Sequence, residues 1–163
     1  MIRFGNGNVP HQLGSSLTAT GKKLLSIYAA IYVLELLLEH WLHRPVVSSL
    51  QLYPLISSNF QVWQLITHPL IHDPRSPVAF LICCIVFYFF AGPVEHAFGK
   101  KRFLTFFYLS AMMGALCGLC FSVVAGFNTP FMGMMPSLLS MIVAFGLLNP
   151  ESTILLLFII PLK

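Results

Sequence analysis

The composition of this 163-residue chain excludes an ordinary water-soluble fold. Hydrophobic residues make up 57% of it and charged residues only 9%, against about 25% charged in a soluble domain. The net charge of +4 does not indicate nucleic-acid binding, because seven of the nine cations stand at the ends of apolar runs on one side and act as topology signals. The bilayer is therefore the predicted solvent, and no nucleic-acid partner is expected.

The predicted elements begin after a polar segment, residues 1–23, which is rich in Gly, Asn, Ser and Thr. Apolar runs long enough to cross a bilayer as helices follow; they cover about 24–42, 77–98, 103–126 and 131–148. The segment between the first two runs mixes polar residues with amphipathic stretches, which predicts an interfacial loop. Residues 149–163 predict an interfacial segment or the start of a further span.

The cations divide unequally between the two ends of these spans. The larger group contains Arg3, Lys22, Lys23, Lys100, Lys101, Arg102 and Lys163, and the smaller one Arg44 and Arg75. By the positive-inside rule this division predicts a cytoplasmic N-terminus. We expect the bacterial inner membrane, with an organelle membrane as the alternative.

Several residues inside the spans are candidates for a role beyond hydrophobicity. Glu35 lies in the middle of the first span, where a carboxylate is costly and usually faces a partner or water. The alternative is that Glu35 stays protonated or pairs with a polar group of the loop. Gly114 and Gly118 form a GxxxG pair in the third span and, with Gly133 before the fourth, predict close helix packing.

The metal-binding residue types do not predict a metal site or a cofactor. His68 and His72 are four residues apart, but the neighbouring prolines argue against a helix, and no third ligand is evident apart from Asp73. The four cysteines lie within apolar runs, where thiols behave as small hydrophobic groups.

One stretch of the chain resembles a known family. The segment Trp-Gln-Leu-Ile-Thr-His-Pro-Leu-Ile-His begins at Trp63, and the next span closes on Gly-Pro-Val-Glu-His-Ala-Phe-Gly, residues 92–99. This order is similar to that of the rhomboid family of intramembrane serine proteases, in which a Trp-x-x-x-Thr-His segment precedes a Gly-x-x-Glu-x-x-x-Gly signature. The resemblance covers roughly residues 24–163 and implies an all-α, rhomboid-like helical bundle of four spans in these residues.

The motif residues are expected to have structural roles. The resemblance implies that the two histidines hold the interfacial loop. Near the membrane boundary, the glutamate is expected to act as a clamp that accepts hydrogen bonds from backbone amides or pairs with the adjacent cationic loop. The flanking glycines are expected to permit a sharp turn or a close approach of two helices. These residues are Trp63, His68, His72, Gly92, Glu95 and Gly99.

The catalytic residues of the resembled family have no counterparts in this chain. The family uses a serine in a Gly-x-Ser-Gly context and a histidine base on its sixth span. Here Gly-Met-Met-Pro begins at Gly133, so Met135 stands at the nucleophile position. The oxyanion His and Asn fall on Ala79 and Cys83, neither of which is a strong donor, and no histidine follows His96.

These observations predict a non-catalytic rhomboid-like membrane protein. We expect it to bind the lipid bilayer and the transmembrane helices of other proteins, or to serve as a subunit of a larger membrane complex. The alternative is an active rhomboid protease with a displaced nucleophile, Ser137 or Ser140, and a histidine beyond residue 163. A transporter or channel ranks last, because Glu35 and a few serines are too little to line a polar path.

Overall fold

The computed structural model describes residues 17–43, 46–149, 154–156 and 160–162. The predicted helical architecture is confirmed for the spans and the core. The described helices are α1 (Ala19–Leu36), continued by a π-helical turn (Leu37–Trp41), then α2 (Val46–Leu50), α3 (Gln64–Thr67), α4 (Pro77–Phe98), α5 (Lys100–Ala125) and α6 (Met135–Leu148). After α6, two short backbone segments, β1 (Ile154–Leu156) and β2 (Ile160–Leu162), pair antiparallel.

Three of the described helices are long and apolar enough to cross a membrane: Ala19–Trp41, Pro77–Phe98 and Lys100–Ala125. The multi-pass prediction is thereby confirmed. The fourth apolar helix, α6, has only 14 residues, which corresponds to about 21 Å of helix against a hydrocarbon core of about 30 Å.

The late start of α6 has a local cause. Leu52 of the interfacial loop and Phe131 exchange two backbone hydrogen bonds, with N···O distances of 2.9 and 2.7 Å. Residues 131–134 are therefore held outside a helix, although the sequence places them in the fourth span. Pro136 stands in the first turn of α6, where its missing N–H leaves no hydrogen bond unmade.

The first helix begins five residues before its predicted start at residue 24. Thr18 caps it, since its hydroxyl oxygen accepts a hydrogen bond from the backbone N–H of Gly21 at 3.0 Å. Lys22 and Lys23 consequently lie within α1, where their long side chains can reach the membrane boundary.

A single residue joins α4 to α5. Gly99 has φ 77° and ψ 154°, a combination that is essentially confined to glycine. Its backbone N–H donates to the carbonyl of Glu95 at 2.8 Å, and its own carbonyl accepts from the N–H of Phe103 at 2.9 Å. The chain therefore leaves one helix and enters the next without a loop.

The core forms where α6 packs against both α4 and α5, while α1 packs against α4. Aromatic rings fill this core in edge-to-face pairs: Phe90 and Phe145 have centroids 5.4 Å apart, and Phe87 and Phe107 have centroids 5.7 Å apart. Much of the remaining surface is apolar and exposed, as at Val124, which is 86% exposed. In water this surface would be an aggregation hazard, whereas a bilayer solvates it.

Candidate functional site

The predicted nucleophile position lies where α6 begins, beside α4. Met135 is the first residue of α6 and is about half exposed, whereas Cys83 is buried on α4. The sulfur atoms of the two side chains are 3.7 Å apart. The residues that the resemblance assigns to the nucleophile and to an oxyanion donor are thus in contact, and they carry a thioether and a thiol, both weak hydrogen-bonding groups.

The two alternative serines are engaged in structural hydrogen bonds. Ser137 is buried, and its hydroxyl donates to the carbonyl of Phe107 on α5 at 2.6 Å. Ser140 donates to the carbonyl of Pro136 within its own helix at 2.9 Å, the back-bonding common for helical serines. Among the described residues, no histidine hydrogen-bonds to either hydroxyl, so neither has a base that could activate it.

His68 fastens the interfacial loop to the residues that precede α6. Its backbone carbonyl accepts a hydrogen bond from the N–H of Gly133 at 2.9 Å. Its ring Nδ1 lies 3.1 Å from the carbonyl of Gln64 and 2.9 Å from that of Leu65. Because carbonyls only accept, Nδ1 carries the ring proton. Burial lowers the pKa of His68, which favours this neutral form.

His72 is also buried, and it lies between α1 and α4. Its ring stands edge-on to Tyr28 and to Phe80, with centroids 5.8 and 4.9 Å away. A β-carbon added to Gly133, which has φ 92°, would lie 3.5 Å from this ring. Burial lowers the pKa of His72 to about 4, so the imidazole is uncharged at neutral pH. Gly133 therefore contacts both loop histidines: its N–H donates to the carbonyl of His68, and its Cα faces the ring of His72.

Glu35 faces this loop from α1. Its Oε2 accepts a hydrogen bond from the backbone N–H of His72 at 3.2 Å, while its Oε1 has no partner among the described residues. The hydroxyls of Tyr28 and Tyr32, on the same helix, are likewise buried without a described partner. The sequence left open whether Glu35 pairs with a polar group of the loop, and the geometry supplies such a group.

A hydrogen-bonded core holds the rest of the interfacial loop, and the sequence reasoning missed it. Gln64 is 1% exposed; its Oε1 accepts from the N–H groups of Tyr53 and Gln61, and its Nε2 donates to the carbonyl of Asn59. Trp63, which the motif singled out, is 54% exposed beside it. The buried amide, rather than the adjacent ring, orders this part of the loop.

Glu95 ties the end of α4 to the start of α1. The hydroxyl of Thr18 donates to its Oε2, while the same hydroxyl caps α1. Sequence reasoning expected a clamp at Glu95 but did not identify Thr18, although a threonine directly before an apolar helix is a recognisable capping signal. Gly92 is buried one turn earlier on α4.

The glycine pair of α5 lies against the segment that leads into α6. A β-carbon on Gly114 would lie 2.5 Å from Cβ of Pro136, and one on Gly118 would lie 3.2 Å from the ring of Phe131. At no place within the described residues do three His, Cys, Asp or Glu side chains come together to hold a metal ion.

Residues 22–163 match the model of a family described as eukaryotic integral membrane protein (DUF1751). The chain belongs to this family. No curated protein and no solved structure matches the chain significantly. Membership in DUF1751 agrees with the membrane assignment, whereas the family's eukaryotic description argues against the bacterial inner membrane expected from sequence.

Proposed function

We propose that this DUF1751 protein is a non-catalytic, rhomboid-like membrane protein that binds the transmembrane helices of other proteins or serves as a subunit of a membrane complex. The contact between Cys83 and Met135 carries the proposal. A protease of the resembled kind needs a hydroxyl nucleophile and oxyanion donors at these positions. The thioether of Met135 has no proton that a base could remove, so it cannot act as that nucleophile.

The proposal includes a fourth crossing and a cytoplasmic N-terminus. α6, together with the non-helical residues 131–134, provides the fourth crossing. The orientation is supported by charge, because Lys100, Lys101 and Arg102 follow α4 while Arg75 precedes it. These cations lie at opposite ends of one 22-residue helix, so the larger group marks the cytoplasmic end.

A partner helix has a suitable surface on α6. The residues Met135, Leu139, Ile142 and Gly146 recur at intervals of four, three and four, which places them on one face; we call them the Met135 stripe. Met135 and Leu139 are more than half exposed, and a β-carbon added at Gly146 would meet nothing within 4 Å. Helices in membranes associate closely at such small residues.

Site-specific photocrosslinking in native membranes tests the helix-binding role. A photoreactive residue at Met135 should give a discrete adduct, whereas one at Leu109, which is 56% exposed on α5, should give none above background. Gly146→Ile should weaken the adduct, because its side chain would fill the open notch of the stripe. Equal adducts at both positions, or an adduct unaffected by Gly146→Ile, would contradict the proposal.

Fluorophosphonate labelling of the purified protein tests the absence of catalysis. We expect no labelling above that of the Ser137→Ala variant, because the hydroxyl of Ser137 is buried and bonded to a carbonyl. Labelling that disappears in Ser137→Ala, together with cleavage of a transmembrane substrate, would instead establish the protease alternative.

A further inference from the structure

We propose that this protein binds an anionic glycerophospholipid at the membrane boundary where α4, α5 and α6 meet. One acyl chain lies in the groove between these helices, and the phosphate lies at the cations that open α5. This site shares only Leu139 with the Met135 stripe. Lipid binding can therefore be tested separately from the proposed helix binding, through residues that the stripe does not contain.

The acyl chain has a preformed apolar groove of about 590 Å³. Phe98 and Phe106 form the end of the groove at the α4–α5 junction, and their rings contact edge to face with centroids 5.3 Å apart. Leu139 to Leu148 of α6 form the opposite wall, a length of about 14 Å along the helix. The groove therefore runs from the membrane boundary toward the bilayer interior, as an acyl chain does.

The phosphate has unpaired positive charge at the boundary end of this groove. Lys100, Lys101 and Arg102 are exposed, and they form no ion pair with any described residue. Arg102 precedes Phe106 by four residues, so both lie on the same face of α5. The first turn of this 26-residue helix adds unpaired N–H groups that favour an anion.

Among the described residues, no carboxylate forms an ion pair with these cations. Glu95, the described carboxylate closest in sequence to these cations, is buried and accepts from Thr18 on the α1 side of α4. Within the described part of the chain these cations have no carboxylate partner, so they can meet an external anion. A partner helix would need acidic residues at its own end to meet them, whereas anionic lipids of a cytoplasmic leaflet supply both the charge and the tail.

Native mass spectrometry of the full chain, released from nanodiscs of phosphatidylcholine with a minor fraction of phosphatidylserine, tests this site. We expect the wild type to retain phosphatidylserine preferentially. The double variant Lys101→Gln/Arg102→Gln should lower that preference about thirty-fold. This factor corresponds to the loss of two boundary cations, each of which contributes about 1 kcal/mol to the binding of an anionic lipid. Val143→Trp should abolish retention by filling the groove, in which Val143 is a lining residue.

Arg75→Gln is the matched control, because Arg75 is an exposed cation at the opposite end of α4. Its phosphatidylserine preference should equal that of the wild type. If Arg75→Gln lowers the phosphatidylserine preference as much as the double variant does, general surface charge explains the preference and the proposed site is wrong. Retention unchanged by Val143→Trp would show that no acyl chain occupies the groove, and a peptide retained in place of lipid would show that a helix does; each result refutes the proposal.

Discussion

Replacing Gly114 by alanine tests the packing of α5 against α6. The added β-carbon would lie 2.5 Å from Cβ and 2.7 Å from Cγ of Pro136, and a proline ring has no alternative rotamer by which to move aside. Overpacking of this kind lowers the free energy of unfolding by about 1–3 kcal/mol, while the higher helix propensity of alanine raises it by about 1 kcal/mol. With so close an approach, we expect a net loss of roughly 2 kcal/mol.

The matched control is Gly146→Ala on α6. A β-carbon there meets nothing within 4 Å, so only the helix-propensity gain of up to about 1 kcal/mol applies. Equilibrium unfolding by SDS titration in bicelles, followed by far-ultraviolet circular dichroism, measures both variants. The two free energies of unfolding should differ by about 3 kcal/mol. A Gly114→Ala variant as stable as Gly146→Ala would refute the packing argument.

Three further predictions use the same unfolding measurement. Thr18→Val should lower the free energy of unfolding by about 2 kcal/mol, because it removes both a helix cap and a hydrogen bond to a carboxylate. The control Thr105→Val, which removes an exposed hydroxyl, should leave the free energy of unfolding nearly unchanged, and equal losses in the two variants would contradict this prediction. Ser137→Ala should lower the free energy of unfolding by about 1 kcal/mol, because it removes the hydrogen bond from α6 to α5. Ser140→Ala removes only a hydrogen bond within α6 and should lower it less; the reverse order would contradict the structural role given to Ser137. The pKa of His72 falls from 6.5 in the unfolded chain to about 4 in the fold, so the unfolded state binds the proton first, and stability present above pH 6.5 should be lost as pH falls toward 4. His72→Gln should flatten this dependence, and an unchanged slope would show that another group causes it.

The sequence predicted the spans well because lipid imposes a simple requirement on them. A spanning helix must be long and apolar, and α4 and α5 meet that requirement by composition alone. The start of α6 was predicted too early because its true cause is nonlocal. Phe131 is apolar and suits a span, but its backbone pairs with Leu52, nearly eighty positions earlier in the chain.

The candidate site shows the same division between local and distant information. Met135 and Cys83 were singled out by their positions in motifs, but the 3.7 Å contact of their sulfur atoms depends on how α4 meets α6. Thr18 was missed as the partner of Glu95, since the two are 77 residues apart in sequence. Gln64 was missed because a glutamine in a loop gives no sign that it will be buried.

The one-residue junction at Gly99 has a consequence for how the protein is made. Because no loop separates the two spans, one of them cannot insert fully into the bilayer while the other stays outside it. We expect α4 and α5 to insert together as a hairpin. Because Gly99 alone separates them, the end of α4 and the start of α5 lie at the same depth and mark one boundary of the membrane domain.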